Sequence, residues 1–146
     1  MIRLCKLVPP LLALHLLLIG SAEPVRADNP SSRFTLCHGM GGPDCVVDGD
    51  TFWLDGLKIR IADIDTPETH GPRCTAEDAL GMRATQRLLA LLNAGAFSLT
   101  PVERERDRYG RTLRIVTRQG RSIGARLVAE GLARPWTGAR QPWCRS

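Results

Sequence analysis

The hydrophobic pattern of the chain begins with two strand-like stretches in the first half of the sequence. Apolar and β-branched residues fill residues 46–47 and 51–54, and residues 58–64 alternate partly between apolar and polar side chains. Alternation with a period of two is typical of a half-buried strand. Asp55-Gly56 lies between the two stretches and is a strong hairpin turn signal. The pattern therefore predicts two antiparallel strands, the second of which ends at Pro67.

A helical pattern follows, with apolar residues recurring at helical spacing up to about Asn93. Thr75 is the expected N-cap, with Asp78 in the capping-box position three residues later. Asn93-Ala94-Gly95 has the composition of a helix C-terminus. We therefore predict a helix between about residues 75 and 93.

The rest of the chain predicts two more strands and a short helix. Residues 97–102 start a third strand, and residues 113–116 lie on a fourth after the break at Gly110. Ser122 is expected to cap a short helix that runs to Glu130. Strands, a helix, more strands and a second helix together predict a small α+β domain.

The first 27 residues have the order of a secretory signal peptide. Arg3 and Lys6 precede an apolar run of about 13 residues, and small residues follow it up to Ala27. The run is shorter than the roughly 20 residues that span a bilayer, so we expect cleavage rather than a membrane anchor. Ala27 is the first choice of cleavage site and Ala22 the second. The resulting expectation is export to the periplasm or the medium.

Residues 28–43 are then expected to form an N-terminal leader and loop, and residues 44–146 a single folded domain. The chain has 146 residues, of which 43% are hydrophobic and 24% charged. This composition is typical of a globular domain and argues against a disordered tail, a collagen-like fibre and a multi-span membrane protein.

Positive charge in the chain comes almost entirely from arginine. The net charge is +5, and without residues 1–27 it is +3, with Lys58 as the remaining lysine. The planar guanidinium group of arginine suits phosphate and carboxylate partners better than an ammonium group does. A mild basic excess is compatible with a polyanionic partner, but does not establish one.

Four cysteines follow residue 27, and an even number in a small exported chain favours disulfides. Three pairings are possible. We favour Cys37 with Cys45, and Cys74 with Cys144, because the first two are close in sequence and flank a glycine-rich turn. The alternative is a metal site built on Cys37, His38 and Cys45, but the paired C-x2-C spacing of many zinc sites is missing.

Two acidic clusters, residues 48–50 and 63–68, lie near strand ends. Clustered carboxylates repel one another unless a cation lies among them, and hard divalent cations prefer oxygen ligands. Arg60 precedes the second cluster, and Arg108 and Arg111 lie in a later turn. An arginine and a divalent ion together can clamp a phosphoryl group. Taken one cluster at a time, the motifs favour simpler roles. The acids would serve in turns and helix caps, and the arginines would form solvated ion pairs.

Taken together and in order, these motifs resemble those of the staphylococcal nuclease (thermonuclease) family. The likeness is carried by residues 46–51, 60–68 and 107–111, continues through residues 129–133, and covers about residues 44–135. It implies a five-stranded OB-like β-barrel with helices packed on it, a frequent platform for oligonucleotides. The long C-terminal helix of the family is expected to be absent, with a Cys74–Cys144 disulfide as a staple in its place.

The resemblance also implies a calcium site. Asp50 and Asp65 match the carboxylates that hold Ca²⁺, and Thr66 matches the residue that offers its backbone carbonyl. Glu68 matches the glutamate beside the attacking water, as general base or as orienter. Asp48 matches an acid that supports the metal site without ligating the ion.

Further residues match positions that contact nucleic acid. Arg60 and Arg111 match the two phosphate-binding arginines of the family. Tyr109 matches a tyrosine beside the bound phosphate, although packing is an equally open role for it, and Arg108 is a weaker candidate. Trp136 can stack on a base, although packing at the rim of the site is as plausible. The nucleotide-contacting tyrosines that follow the Gly-Leu-Ala segment in the staphylococcal enzyme have no clear match.

The function implied is that of an exported, Ca²⁺-dependent nuclease that cleaves DNA and RNA with little sequence preference. Water would attack phosphorus and leave 3′-phosphate ends. We expect a monomer without membrane association after signal cleavage. The alternative is a catalytically inactive nucleic-acid-binding module of the same fold. Such modules typically lose metal and arginine positions that this chain retains.

Overall fold

The computed structural model describes residues 33–39 and 42–144, in which nine strands and two helices are found. The strands are β1 (Thr35–Leu36), β2 (Cys45–Asp48), β3 (Thr51–Leu54), β4 (Leu57–Ile61), β5 (Ile64–Asp65), β6 (Ser98–Arg106), β7 (Thr112–Arg118), β8 (Arg121–Ser122) and β9 (Arg134–Pro135). The helices are α1 (Thr75–Asn93) and α2 (Ile123–Ala129). Five of these strands have four residues or more: β2, β3, β4, β6 and β7.

The strands form one large mixed sheet and one small sheet. The large sheet has the order β1-β2-β3-β4-β7-β6, and β8 pairs with β7. The β1–β2 and β4–β7 pairs are parallel and the others antiparallel, while β5 and β9 form the second sheet. The α+β, OB-like architecture is confirmed. In the residues described, however, no backbone pairing joins β6 back to β1 or β2 to close a barrel.

The hairpin expected at Asp55-Gly56 is confirmed. Asp55 has φ 49° and Gly56 has φ 75°, the positive values that match a tight turn to the twist of its strands. The second strand is not continuous over residues 58–64 as expected. It ends at Ile61 in β4, which pairs with β7, and β5 starts at Ile64 to pair with β9. Because the two parts have different partners, the chain bends between them.

The N-terminus of α1 differs from the prediction by one residue. Cys74 occupies the N-cap position without a side-chain hydrogen bond, so the expected Thr75 cap is wrong. The carboxylate that binds the backbone at this end of the helix is that of Glu77, one residue before the expected Asp78. It accepts a hydrogen bond from the Arg73 N–H at 2.7 Å. The predicted end at Asn93 is confirmed. The cap of α2 is also confirmed, since Ser122 Oγ accepts from the Ala125 N–H at 3.0 Å.

The core contains a cluster of three aromatic rings. Phe34, Phe52 and Phe97 are all buried, with ring centroids 5.9–6.1 Å apart. Phe34 belongs to the segment expected to be a leader, yet its N–H donates to Asn93 Oδ1 at 2.9 Å, beside β1. The domain start at residue 44 stays a prediction, but packing against the sheet begins earlier. The predicted signal peptide, residues 1–27, lies outside the described residues.

Two disulfides connect the cysteines in the pairing favoured from the sequence. Cys37 bonds to Cys45, with Cα atoms 4.9 Å apart, and Cys74 bonds to Cys144, with Cα atoms 6.1 Å apart. Because the sulfurs of Cys37 and Cys45 are bonded to each other, they are not free to act as thiolate metal ligands. In the part of the chain that the structure describes, no helix has the length and apolar character needed to cross a membrane.

Candidate active site

Asp50 is held in the turn between β2 and β3 and is 1% exposed. Gly49, the residue before it, leaves no space for a side chain. A Cβ atom there would lie 2.6 Å from the Cβ of Ala84 on α1 and 3.0 Å from that of Thr66. This close approach brings the Asp50 carboxylate beside Thr66, whose N–H donates to Oδ2 at 3.3 Å.

Arg60 lies at the centre of the predicted site, on β4, and is 6% exposed. Its Nη1 donates to the backbone carbonyls of Ile61 and Ile64 at 2.8 and 3.1 Å. Its Nη2 lies 3.3 Å from Asp50 Oδ2 and 3.7 Å from Asp65 Oδ1. A buried guanidinium needs such charged and carbonyl partners to offset its desolvation. The two predicted metal carboxylates therefore converge on one predicted phosphate-binding arginine.

Asp48 supports this arrangement from the end of β2. Its Oδ1 accepts a hydrogen bond from the Asp50 N–H at 3.1 Å. Burial, followed by the negative charge of Asp50, raises the pKa of Asp48 to about 7. Burial is also the main reason that the pKa of Asp65 is raised, with Arg140 opposing it and Asp50 adding to it. Burial and mutual repulsion thus disfavour the charged forms of these carboxylates, and a bound cation would offset both effects.

Arg111, in the turn between β6 and β7, connects to the Asp50 carboxylate through Thr51. Its Nε donates to Asp107 Oδ2 at 2.7 Å, and its Nη1 donates to Thr51 Oγ1 at 3.2 Å. The Thr51 hydroxyl in turn donates to Asp50 Oδ1 at 2.8 Å. Burial alone would raise the pKa of Asp107, but hydrogen bonds from Arg111 and from the Tyr109 N–H outweigh it and lower that pKa. Both predicted arginines thus connect to Asp50.

Tyr109 and Arg108 lie at the solvent edge of this arginine. Tyr109 is 68% exposed, and its ring centroid lies 4.8 Å from Arg108 Cζ and 5.5 Å from Arg111 Cζ. The Arg108 Nη2 also donates to the Tyr109 hydroxyl at 2.6 Å. An exposed aromatic ring between two cations is compatible with contact to nucleic acid, which remains a prediction for these residues.

Glu68 is carried by a loop that rests directly on α1. A Cβ atom at Gly81 would lie 2.8 Å from the carbonyl oxygen of Pro67 and 3.0 Å from that of Glu68. The loop backbone and the Thr69 methyl group, 2.9 Å from the same position, therefore lie directly against the helix backbone. The Glu68 carboxylate forms an ion pair with Nη1 of Arg140.

The sequence reasoning missed three residues of the site. Asp107 begins the motif of residues 107–111, and its spacing of four from Arg111 is the signal that could have identified it. Arg140 Nε lies 3.2 Å from Asp65 Oδ1, and the Trp143 indole N–H donates to Asp65 Oδ2 at 3.2 Å. These two residues could have been suspected only from their nearness to Cys144 and its disulfide.

Trp136 packs against the central arginine from the segment that follows β9. Its ring centroid is 5.1 Å from Arg60 Cζ, and the residue is 37% exposed. The structure therefore brings Trp136 to the site, where it packs on Arg60 and stays partly exposed. Stacking of this ring on a base stays a prediction.

The donor atoms fit a hard cation such as Ca²⁺. Asp65 Oδ1 is buried and accepts no hydrogen bond within the described residues, although two guanidinium groups face it. Asp50, Asp65 and the Thr66 carbonyl would supply an all-oxygen set. No three of the predicted carboxylates in residues 33–39 and 42–144 have oxygens within 4.8 Å of one another. The group that does meet this distance, Cys74, Glu77 and Cys144, contains a disulfide instead.

Comparison with known proteins gives consistent matches. A family model described as staphylococcal nuclease homologue matches residues 58–143. Endonuclease YncB of Bacillus subtilis (strain 168) is 38% identical over 96 residues, which cover 62% of this chain and 45% of that protein. Micrococcal nuclease of Shigella flexneri is 37% identical over 101 residues, covering 60% and 53%. Thermonuclease of Staphylococcus hyicus is 36% identical over 93 residues, covering 61% and 54%. The chain thus matches about half the length of these relatives.

Proposed function

The chain belongs to the staphylococcal nuclease family, and from that premise we propose that it is a Ca²⁺-dependent nuclease that hydrolyses phosphodiester bonds of DNA and RNA with little sequence preference. The names of its relatives, endonuclease, micrococcal nuclease and thermonuclease, support a hydrolase acting on nucleic acid. The calcium requirement and the substrate range are inferred from the resemblance and from the chemistry of the site.

One observation carries the proposal. Two arginines and two carboxylates form a single connected group. Arg60 lies between Asp50 and Asp65, and Arg111 reaches Asp50 through the Thr51 hydroxyl. A buried charged group of this kind contributes little to stability compared with apolar residues of the same volume, so a functional role explains it better.

Asp50, Asp65 and the Thr66 carbonyl would hold the ion. When bound, Ca²⁺ supplies Lewis-acid chemistry, polarising a phosphate oxygen and acidifying a bound water. The side chains that face it already have the geometry described above, because Arg60, Asp48 and the Thr66 N–H fix the Asp50 turn. The Asp50 turn is therefore already ordered before substrate arrives.

The reaction itself is carried by Glu68 and the two arginines. Glu68 accepts a proton from the attacking water as general base. The water oxygen bonds to phosphorus, and the bond from phosphorus to the 5′-oxygen breaks. The leaving 5′-oxygen takes up a proton from solvent water, which gives a 3′-phosphate and a 5′-hydroxyl. Arg60 and Arg111 donate to the phosphoryl oxygens, on which negative charge grows in the transition state.

We infer that the protein is exported and acts as a monomer in the periplasm or the medium. The signal-like order of residues 1–27 supports export. The two disulfides also favour an oxidising compartment. After signal cleavage, no part of the sequence calls for a membrane or for a second subunit.

The test is digestion of single-stranded DNA and of RNA by the oxidised protein, with Ca²⁺ or with a calcium chelator. Glu68→Gln is expected to lower the rate by about 10²-fold or more, as loss of a general base typically does. Glu103→Gln, at an exposed acid on β6, is the matched control and is expected to cleave normally. Mass spectrometry of the products should find 3′-phosphate ends.

Two results would change the proposal. Intact DNA that nevertheless binds the protein would favour the non-catalytic binding module. Cleavage that continues undiminished in chelator would contradict the calcium requirement while leaving the nuclease activity in place.

A further inference from the structure

The chain that follows β9 crosses the candidate active site as a strap, residues 136–144. It is fixed at both ends. At its start the Trp136 N–H donates to the Asp63 carbonyl at 2.9 Å, which continues the β5–β9 pairing. At its end Cys144 is bonded to Cys74, the N-cap of α1. The strap is therefore held beside β5, which carries Asp65, and beside α1, on which the Glu68 loop rests.

Arg140, in the middle of the strap, contacts both of those carboxylates. Its Nη1 pairs with Glu68 Oε1, and its Nε lies 3.2 Å from Asp65 Oδ1. Next to it, Trp143 donates its indole N–H to the other oxygen of Asp65 at 3.2 Å. Trp143 is itself held by Arg134, whose Cζ lies 3.6 Å from the indole ring centroid.

These contacts conflict with the reaction. The Asp65 oxygen that faces Arg140 belongs to a predicted ligand of the ion, and Glu68 is the predicted base. Asp65 Oδ1 already faces Arg60 at 3.7 Å and Arg140 at 3.2 Å, so Ca²⁺ at this oxygen would be repelled by two nearby guanidinium groups. The Glu68 oxygen that faces Arg140 is also the acceptor that the attacking water needs. Both ion binding and water activation are therefore favoured when Arg140 moves away from these oxygens.

When it leaves, Arg140 stays near the site, because both ends of the strap remain fixed. Its side chain is 38% exposed and already borders solvent. The group that enters from solvent is the phosphate backbone, for which the fork of an arginine is a strong bidentate partner. Trp136 lies on the same segment, with its ring 5.1 Å from Arg60 Cζ and with 37% of the residue exposed to solvent.

We propose that Arg140 is a third arginine of the active site, which pairs with Glu68 and Asp65 before Ca²⁺ binds and with a phosphate of the substrate afterwards. This inference rests on the proposed function of the same site. It assigns the disulfide-anchored strap to substrate binding and makes Arg140 an internal competitor of the ion.

The proposal predicts opposite effects of Arg140→Ala on two ligands. Calcium binding, measured by isothermal titration calorimetry of the full oxidised protein without nucleic acid, should become tighter by about threefold or more, because a competing ion pair is removed. Binding of a cleavage-resistant phosphorothioate oligodeoxynucleotide in saturating Ca²⁺, measured by fluorescence anisotropy, should become weaker by a similar factor. Its slope against the logarithm of salt concentration should fall by about 0.7, the value for one lost phosphate contact on a single strand.

Two further variants separate this role from structural and long-range effects. Arg121→Ala removes the same charge from the β7–β8 turn, and both affinities should stay close to those of the wild type. Arg140→Lys keeps the charge but not the fork, and should fall between the wild type and Arg140→Ala for both ligands. If Arg140→Ala failed to fold, it would bind both ligands more weakly. Arg140→Lys would then replace it as the test variant.

Unchanged or weaker calcium binding in Arg140→Ala and Arg140→Lys would overturn the competition, and unchanged oligonucleotide binding would overturn the phosphate contact. Neither measurement needs cleavage. A failure of the nuclease proposal, seen as intact DNA in the digestion test, is therefore distinguishable from a failure of this one.

Discussion

Asp107 accepts hydrogen bonds from both the side chain and the backbone of Arg111. One carboxylate oxygen of Asp107 accepts from the Arg111 Nε at 2.7 Å, and the other accepts from the Arg111 backbone N–H at 3.0 Å. The second oxygen also accepts from the Tyr109 N–H at 2.9 Å, so that the same carboxylate shapes the turn. Nη1 of Arg111 still reaches Thr51 at the carboxylate cluster.

This relationship predicts that Asp107 acts on catalysis through Arg111. Arg111→Ala should lower kcat by about 10²–10³-fold, the usual effect of losing one transition-state donor. Asp107→Asn should lower it by less, because the amide keeps an acceptor oxygen for the turn. In the double variant the loss should be close to that of Arg111→Ala alone, since both changes remove one interaction. Fully multiplicative losses in kcat on single-stranded DNA would show that the two residues act independently.

Gly81→Ala tests how α1 positions Glu68. By helix propensity alone the change should stabilise α1 by about 1 kcal/mol. The new methyl group would instead lie 2.8 Å from the Pro67 carbonyl and 3.0 Å from that of Glu68. We expect a net loss of about 1–3 kcal/mol in the free energy of unfolding, typical of overpacking, together with a lower kcat. Met82→Ala, at an exposed neighbour, is the control for urea denaturation and kinetics. A stabilised, fully active Gly81→Ala protein would contradict the contact.

Glu130 is expected to contribute to stability in a defined pH range. It links α1 to α2 by accepting two hydrogen bonds from Arg87 at 2.7 Å and one from Arg126 at 2.6 Å. The hydrogen bonds from Arg87 and then Arg126 lower its pKa from 4.5 to about 2. Its contribution is therefore complete above about pH 4.5, and is lost as the pH falls toward 2.

The measurement is the melting temperature between pH 6 and pH 2. Glu130→Gln should be less stable than the wild type at pH 6, and the difference should shrink as the pH falls through this range. Glu103→Gln, at an exposed acid on β6, should keep the acid profile of the wild type. A constant difference between Glu130→Gln and the wild type at every pH would show that the carboxylate charge is not responsible.

The two disulfides should differ in their contribution to stability. They join residues 8 and 70 positions apart. On the chain-entropy account, closing such loops contributes about 2.5 and 4 kcal/mol respectively. Replacing Cys74 and Cys144 by Ala should therefore cost more than replacing Cys37 and Cys45, as measured by urea denaturation. Equal losses in the free energy of unfolding would show that the Cys74–Cys144 disulfide does not stabilise the protein by lowering the entropy of the unfolded chain.

Phe34→Ala tests whether the segment before residue 44 belongs to the folded domain. Phe34 is 2% exposed and packs on Phe52 and Phe97. Truncating a buried phenylalanine typically costs about 3–5 kcal/mol. Thr35→Ala, at the exposed neighbour, should cost far less. A loss below 1 kcal/mol for Phe34→Ala in urea denaturation would mean that the segment does not stabilise the core.

Local sequence signals predicted the larger elements well. Asp55-Gly56 fixed a hairpin because both residues accept positive φ, and Ser122 capped α2 because its hydroxyl replaces a missing backbone acceptor. The short strands β1, β8 and β9 were not predicted, since a strand of two residues is too short to show an alternating hydrophobic pattern. The bend between Ile61 and Ile64 was missed because it results from pairing with different distant strands. β4 pairs with β7 and β5 pairs with β9, and the alternating pattern of residues 58–64 contains no sign of this change.

The sequence by itself determined the chemistry of this protein: the order of the acids and arginines, the helix and hairpin signals, and the residue types that a phosphodiester and a hard cation require. Tertiary structure alone decided which of these groups meet. Arg60 reaches both Asp50 and Asp65 because β4 pairs beside the β2–β3 turn, and Arg140 reaches Glu68 because a disulfide brings the strap back to α1. Ion pairs depend on distances between atoms far apart in the chain, and no local pattern encodes those distances.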